Sequence, residues 1–277
     1  GAAESGIVPE IYEAFSATKG LAEDKHLLDL QKRLGEDCSQ PNHRKICRPF
    51  GENIGMSLGE SAQFVILMAD ELAIKLGLNI HGSALASHIN ADGYKKSISG
   101  PGAGNYLTVG KCLNQIENYF GKEALNKTFF HAHGTSTPQN RESESHIISS
   151  LAKTFNINAL PVTAIKSYLG HSLAAAGGDQ IISTLGSWKN NWIPGITSTP
   201  ALAEDVYSEN LNFLLKNLEF NDANFDFAIL NAKGFGGNNG TALIASPNKT
   251  MKMLEVKYST ETIKKYYPKN EKIQKKL

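Results

Sequence analysis

The sequence has 277 residues, of which 41% are hydrophobic, and a formal net charge of +1. A chain of this size and composition can bury a sizeable core and is typical of a soluble globular α/β protein. No apolar run approaches the roughly 18–20 residues of a membrane span, and no leader is visible, so we expect a cytoplasmic protein. Residues 249–277 hold nine lysines and three glutamates, but the body has no basic stripe, which argues against nucleic-acid binding.

Apolar periodicity predicts alternating helices and strands, a pattern that favours mixed α/β layers. The predicted helices cover residues 9–19, 70–76 (ended by Gly77), 109–120 and 143–155, and a further helix runs from a Ser172 cap to Trp188. The predicted strands cover residues 62–68, 80–89, 128–130, 160–165, 225–230 and 240–245. The first strand is nearly continuous in apolar residues, which predicts burial on both faces, and the last two form an antiparallel pair. Residues 24–44 are predicted to be a surface segment with some helix, and residues 90–105 a long loop.

Three of these strands end in turns that carry chemically useful side chains. The turns span residues 131–144, 166–171 and 231–239, and together they contain two histidines, a lysine and a glycine-rich bend. Because open α/β sheets bind ligands at strand ends, we expect these turns to form one site.

In this order, the three turns resemble the HGTxTP, KSxxGH and GFGG signatures of the β-ketoacyl synthase family. The matching segments are His133-Gly-Thr-Ser-Thr-Pro138, Lys166-Ser-Tyr-Leu-Gly-His171 and Gly234-Phe-Gly-Gly237. The resemblance implies a thiolase-like layered α-β-α-β-α fold, present only in part, because the family's nucleophilic cysteine lies upstream of the residues that Gly1–Glu4 resembles. It implies that residues 1–125 are the latter part of the N-terminal half, residues 126–248 the C-terminal half, and residues 249–277 a basic extension.

The implied reaction is a decarboxylative Claisen condensation of an acyl thioester with malonyl-acyl carrier protein, in fatty acid or polyketide-type synthesis. By resemblance, His133 and His171 polarise the malonyl thioester carbonyl and stabilise the enolate. Two neutral histidines held in place before charge develops can do this. Lys166 is implied to support the histidines through a carboxylate, and Glu144 matches the family's glutamate. Arg141 stands where an aspartate is usual, and we expect it to loosen this network or to shift histidine pKa values.

Other positions are implied to bind substrate. Thr135 and Thr137 resemble the hydroxyls that hold the phosphopantetheine arm of the carrier protein. Phe235 resembles the gate to the acyl pocket, and Gly236, with Gly234 and Gly237, permits a tight bend with positive φ. Lys233 replaces an aromatic residue of elongating synthases, so it either alters starter or chain-length preference or points to solvent.

The resemblance also implies partners. They are an acyl carrier protein, an N-terminal segment that brings the catalytic cysteine, and a second ketosynthase subunit in a homodimer or heterodimer. None of Cys38, Cys47 and Cys112 sits at a strand-to-helix elbow or has metal-ligand spacing, so we expect reduced thiols, no metal and no cofactor beyond the carrier's own arm.

Two alternatives remain at this point. One is a non-catalytic partner subunit of the chain-length-factor kind, and the other is a thiolase-fold relative that acts on coenzyme A esters. The basic extension is expected either to be solvated or packed against the body or dimer, or to speed docking of an acidic carrier protein.

Overall fold

A six-stranded mixed sheet forms the centre of the protein, in a computed structural model that describes residues 1–93, 102–221 and 224–276. The strand order is β3-β10-β9-β4-β5-β7. These strands are β3 (Ser83–Ala91), β4 (Thr128–His131), β5 (Leu160–Thr163), β7 (Leu211–Phe213), β9 (Phe227–Gly234) and β10 (Asn238–Ala245). β9, β4, β5 and β7 run parallel, whereas β10 is antiparallel to both of its neighbours. The carboxyl ends of β9, β4 and β5 therefore meet at one edge.

Helices cover both faces of this sheet. The helices are α1 (Pro9–Ala17), α2 (Asp24–Arg33), α3 (Asp70–Leu76), α4 (Ala103–Phe120), α5 (Pro138–Thr154), α6 (Lys166–Leu169), α7 (Ala176–Asn190), α8 (Pro247–Lys257) and α9 (Thr260–Gln274). α4 and α5 pack on one face with Phe130, and α7 packs on the other with Phe129. Neighbouring strand residues face opposite sides, so cover on both faces explains the consecutive apolar residues Phe129-Phe130 of β4 and Phe227–Leu230 of β9. This arrangement confirms the predicted mixed α/β layers.

Two small sheets lie outside the central one. Strand β1 (Ala2–Ser5) pairs antiparallel with β2 (Glu60–Gln63), and β6 (Trp192–Ile193) pairs antiparallel with β8 (Leu218–Glu219). In the part of the chain that the structure describes, no helix is long and apolar enough to cross a membrane. Strand β3 shares the central sheet with the strands that follow residue 126, and the division at residues 125 and 126 stays a prediction.

Several predicted elements are confirmed. Helix α3 has the predicted bounds, and Gly77 ends it with φ +73°. β9 and β10 form the expected antiparallel pair and are longer than predicted. Residues 24–44 contain more helix than expected. α2 occupies residues 24–33, and its Leu27 and Leu30, which lie one helical turn apart, are buried. The predicted loop at residues 90–105 is shorter than expected, because β3 extends to Ala91 and α4 begins at Ala103. Residues 94–101 of this loop lie outside the described residues.

The strand predicted over residues 62–68 is wrong for most of its length. β2 ends at Gln63, and Phe64–Met68 has no regular structure. Phe64 is 75% exposed, Ile66 87% and Leu67 79%. No described strand pairs with this segment, so its apolar side chains stay uncovered. An exposed apolar run of this kind is a contact surface or an aggregation hazard.

The C-terminal extension is helical and packed. Ile263 and Tyr266 of α9 are buried with Ile74 of α3, and the Tyr266 hydroxyl donates to the Leu78 carbonyl at 3.0 Å. This packing favours a structural role for the extension, and carrier docking stays a prediction.

Candidate active site

The three turns meet in a single cavity at the carboxyl edge of β4, β5 and β9. The cavity has a volume of about 630 Å³. Its lining includes seven of the residues predicted for the site: His133, Thr135, Thr137, Lys166, His171, Lys233 and Phe235. Glu144 and Gly236 are not part of the lining. Parallel strands therefore bring together residues up to 102 positions apart in the sequence.

The two histidine rings are close neighbours. The His133 and His171 ring centroids lie 5.3 Å apart, and the ring planes are nearly perpendicular at 80°. Nδ1 of His171 accepts the backbone N–H of Leu173 at 3.1 Å. This hydrogen bond assigns the ring proton to Nε2, since a neutral imidazole carries only one. His171 therefore keeps a free N–H donor.

Backbone contacts hold His171 in place. Its N–H donates to the Ser57 carbonyl at 2.7 Å, and its own carbonyl accepts from Gly59 N–H at 3.0 Å. Leu173 opens the short 3-10 turn that leads into α7. The histidine thus precedes a helix N-terminus, as the sequence predicted, where partial positive charge favours the neutral ring.

Burial sets the charge state of both rings. Burial lowers the pKa of His133 and of His171 well below the ordinary 6.5, and the nearby Lys166 charge lowers both pKa values further. Both imidazoles are consequently neutral at pH 7. Neutral rings can donate to an oxygen on which charge develops and do not start as ions.

Glu144 fixes the turn that carries His133. Its two carboxylate oxygens accept from His133 N and Gly134 N at 2.7 and 2.9 Å, and from the side-chain amides of Asn140 and Asn231 at 2.9 and 2.8 Å. The side chain is fully buried. Four donors compensate one buried carboxylate, which is the condition for keeping such a charge inside a protein.

Lys166 supports the same turn, but not through the direct carboxylate contact that we expected. Its Nζ donates to the His133 carbonyl oxygen at 2.7 Å. Burial lowers the pKa of Lys166 to about 8, and the charges of Glu144 and Asp179 oppose this shift. The lysine remains mainly protonated at pH 7 and restrains His133 from the backbone side.

Thr135, Thr137 and Phe235, which are implied to bind substrate, also line the cavity. The Thr135 and Thr137 hydroxyl oxygens lie 3.1 Å apart and are buried. Phe235 is half exposed, and its ring centroid is 5.9 Å from that of Phe15. Gly236 adopts φ +79°, as the predicted tight bend requires.

The glycine prediction holds for Gly236 and Gly237 but not for Gly234. Gly237 adopts φ +83°, whereas Gly234 has φ −120° and ψ 162°. Gly234 is the last residue of β9 and has ordinary extended geometry. The bend therefore begins one residue later than the signature implied.

Lys233 points into the protein and not to solvent. It is buried, and its Nζ donates to the Ser143 hydroxyl at 2.9 Å. Burial lowers its pKa, and the charges of Glu144 and Asp92 oppose this effect. This geometry resolves the orientation that the sequence left open, and the effect on starter or chain length stays a prediction.

Arg141 does not loosen the histidine network. Its guanidinium makes two hydrogen bonds to the Asp205 carboxylate, at 2.7 and 2.9 Å, and a third to the Gly51 carbonyl at 3.0 Å. A carboxylate oxygen of Glu52 lies 3.3 Å away. These contacts compensate the charge, and Arg141 is not among the charges that lower the pKa of His133.

None of the three cysteines lines the cavity. Cys38 is exposed, while Cys47 and Cys112 are buried. Burial raises the pKa of both buried thiols to about 12. A thiol with so high a pKa supplies almost no thiolate at pH 7.

Sequence reasoning missed several side chains that hold the strand ends together. Gln180 of α7 donates to the carbonyls of Ala132 and Asn231 at 2.8 and 2.9 Å, which links β4 to β9. Asn105 of α4 exchanges hydrogen bonds with Asn231 at 2.7 and 3.2 Å. Each is an amide on the inward face of its helix, and a buried amide requires hydrogen-bond partners, which is the signal that could have found both residues.

The predicted cap by Ser172 is also wrong. Its hydroxyl donates to the Asp179 carboxylate and caps no backbone N–H group. α7 starts at Ala176, after the 3-10 turn, so Ser172 is too far back to cap it.

The stability of the protein should fall in mild acid because of its buried histidines. His131, whose pKa burial lowers to about 3, joins His133 and His171 in this group. Below pH 6.5 the unfolded chain takes up protons at these sites and the folded chain does not, so unfolding becomes easier. We expect the free energy of unfolding to drop by about 1.4 kcal/mol per histidine between pH 7.5 and 5.5.

Denaturant titrations over this pH range measure the effect. His171→Gln should remove about a third of the slope, because glutamine does not titrate. An unfolding free energy that stays flat down to pH 5.5 would contradict the neutral, buried state of the three rings.

The fold is that of the thiolase-like ketosynthases. Residues 81–199 match the family described as "Beta-ketoacyl synthase, C-terminal domain", so this part of the chain carries that domain. The matched residues include His133, Lys166 and His171.

A curated relative, the β-ketoacyl-[acyl-carrier-protein] synthase FabY of Pseudomonas aeruginosa, is 43% identical over 272 residues, which cover 98% of this chain and 42% of FabY. The crystal structure of this noncanonical ketosynthase matches with a TM-score of 0.91 at 42% identity, over 97% of this chain and 41% of that one. The 3-oxoacyl-[acyl-carrier-protein] synthase 2 of Coxiella burnetii is 28% identical over 73% of this chain and 47% of its own length. The chain thus spans less than half of these relatives.

Proposed function

We propose that this chain is the histidine-bearing part of a β-ketoacyl-acyl carrier protein synthase. The reaction is the condensation of an acyl thioester with malonyl-acyl carrier protein, accompanied by loss of CO2. The observation that carries the proposal is the pair of neutral, buried histidines with ring centroids 5.3 Å apart at the wall of a mostly apolar cavity. FabY, at 43% identity, is named as a synthase of this class.

The histidines act when charge develops on the malonyl thioester. The bond between the carboxylate carbon and the α-carbon breaks, CO2 leaves, and the electron pair moves into the thioester as an enolate. His171 donates from Nε2 to the enolate oxygen, and His133 donates beside it. The enolate carbon then attacks the acyl thioester, and the cysteine leaves as a thiolate. Donors aimed at the developing oxyanion lower this barrier more than they tighten ground-state binding.

Lys166 and Glu144 are positioning residues in this scheme. Glu144 holds the backbone of His133 and Gly134, and Lys166 holds the His133 carbonyl. Thr135 and Thr137 present hydroxyls to the phosphopantetheine arm of the carrier protein. Phe235 stands at the cavity wall as the gate to the acyl group.

The nucleophilic thiol comes from outside these 277 residues, in a preceding segment or a second chain. Support comes from the placement of the three cysteines, none of which lines the cavity. Further support comes from the exposed run Phe64–Met68, which needs an apolar partner. Assembly with a second ketosynthase subunit, in a homodimer or heterodimer, is part of the same proposal.

Product analysis tests the function. The natural protein, supplied with acyl- and malonyl-carrier protein, should release one CO2 for each 3-oxoacyl product. If it releases no CO2 and forms no product, but copurifies with a competent ketosynthase, the chain is instead a non-catalytic partner subunit. The two neutral histidine donors favour the catalytic alternative, since a purely structural subunit has no use for them.

A further inference from the structure

Lys233 is a buried cation that the proposed reaction has not yet used. It lies on β9 opposite Asn239 of β10, and only 7% of its surface is exposed. Its one hydrogen-bond partner among the described residues is the neutral Ser143 hydroxyl. An ammonium group has three donors, so two remain for other partners.

The surroundings of Lys233 leave its charge without an ion-pair partner. Glu144 and Asp92 are the carboxylates that influence it, but neither comes within 4 Å of Nζ in the described part of the chain. The Glu144 oxygens already accept from four N–H donors. A buried charge left in this way is costly unless a bound group compensates it.

The cavity is suited to an anion. Its lining by described residues contains the two lysines Lys166 and Lys233, two neutral histidines and no carboxylate. Lys166 is directed at the His133 carbonyl. The side-chain oxygen of Asn239, also in the lining, is buried without a hydrogen-bond partner. This oxygen is an acceptor and calls for a donor, so the group in this part of the lining that can pair with an anion is the Lys233 ammonium.

Resting on the proposed function, we propose that Lys233 binds the carboxylate of the malonyl extender unit while the two histidines hold its thioester carbonyl. Lys233, His133 and His171 all line the same cavity. In a malonyl thioester the carboxylate and the thioester carbonyl are separated by a single CH2 group. One substrate can therefore reach the lysine and the histidines together.

This contact stabilises the bound substrate and not the transition state. The carboxylate loses its charge when CO2 leaves, so the ion pair weakens along the reaction. Lys233 is then a specificity residue that selects a carboxylated extender over a plain acyl group. Its removal should affect KM and spare kcat, which a merely structural role would not do.

The test measures KM and kcat for CO2 release with Lys233→Met, which keeps the chain length and removes the charge. We expect KM for the malonyl thioester to rise about ten- to a hundred-fold, the range of one charge-assisted hydrogen bond, with kcat unchanged or higher. Lys189→Met, at an exposed position of α7, is the matched control and should change neither constant.

A binding measurement distinguishes this inference from the proposed function. Non-hydrolysable malonyl and malonamyl thioethers, which differ only in carboxylate against amide, are titrated into both proteins. The wild type should prefer the carboxylate, and Lys233→Met should lose the preference. Lys233→Gln repeats the test if the methionine variant unfolds. If the wild type releases CO2 while the variant keeps its KM and its carboxylate preference, the inference is overturned. If the wild type releases no CO2, the proposed function fails, and the titration of the two analogues still decides whether Lys233 binds an anion.

Discussion

Replacing His171 or His133 by alanine should lower the rate of CO2 release from malonyl-carrier protein by about 10²- to 10³-fold for each histidine. This is the range for loss of one donor from an oxyanion site, about 2.7–4 kcal/mol of barrier. The His171→Ala effect follows from its free Nε2–H, which the Leu173 hydrogen bond assigns. Transfer of the acyl group to the cysteine should survive in part, because that step forms no enolate.

Measuring acyl-enzyme and CO2 separately, with radiolabelled substrates, distinguishes the two steps. His81→Ala, at an exposed position before β3, is the matched control and should leave both steps intact. Because the two donors act on one oxygen, the double variant should fall short of the product of the single effects. Unchanged CO2 release in both single variants would refute the assignment of the histidines.

Glu144→Ala should be the most destabilising single substitution at the site. It removes the acceptor of four buried donors: two backbone N–H groups and the amides of Asn140 and Asn231. A buried donor without a partner costs about 1–3 kcal/mol. We therefore expect a loss of at least about 3 kcal/mol of unfolding free energy, measured by denaturant titration, together with loss of activity.

Glu144→Gln is the informative companion. Glutamine keeps one acceptor oxygen but turns the other into a donor that faces N–H groups, so it should rescue part of the stability. Arg141→Met is a useful contrast, because it breaks the pair with Asp205 and leaves the four donors of Glu144 in place. It should lower stability and leave the kinetic constants for CO2 release near the wild-type values. Equal stability of Glu144→Ala and the wild type would contradict the role given to this carboxylate.

The sequence predicted the strand ends well because their signals are local. A strand with both faces covered reads as an apolar run, and the residues after it, such as His133 and Lys166, must then lie at the sheet edge. The glycine bend after β9 could likewise be read from residue types. The sequence could not predict the register of the strands or which distant side chains would meet. Lys233 and Ser143 meet only because β9 lies against α5.

The wrong predictions have different physical causes. Arg141 reads as a reversed charge near the histidines until Asp205, 64 positions later, binds it. Ser172 reads as a cap until Asp179 takes its hydroxyl. The run Phe64–Met68 reads as a buried strand, and its apolar pattern requires neighbours that the described residues do not supply.

The charge and tautomer of the two histidines can be measured directly by nitrogen NMR of the natural protein with labelled imidazole rings. At pH 6.5, an ordinary histidine is half protonated. We predict that His133 and His171 are both fully neutral at this pH, and that His171 carries its proton on Nε2. A ring that titrates near pH 6.5, or a His171 proton on Nδ1, would contradict the pair of neutral donors on which the proposed reaction depends.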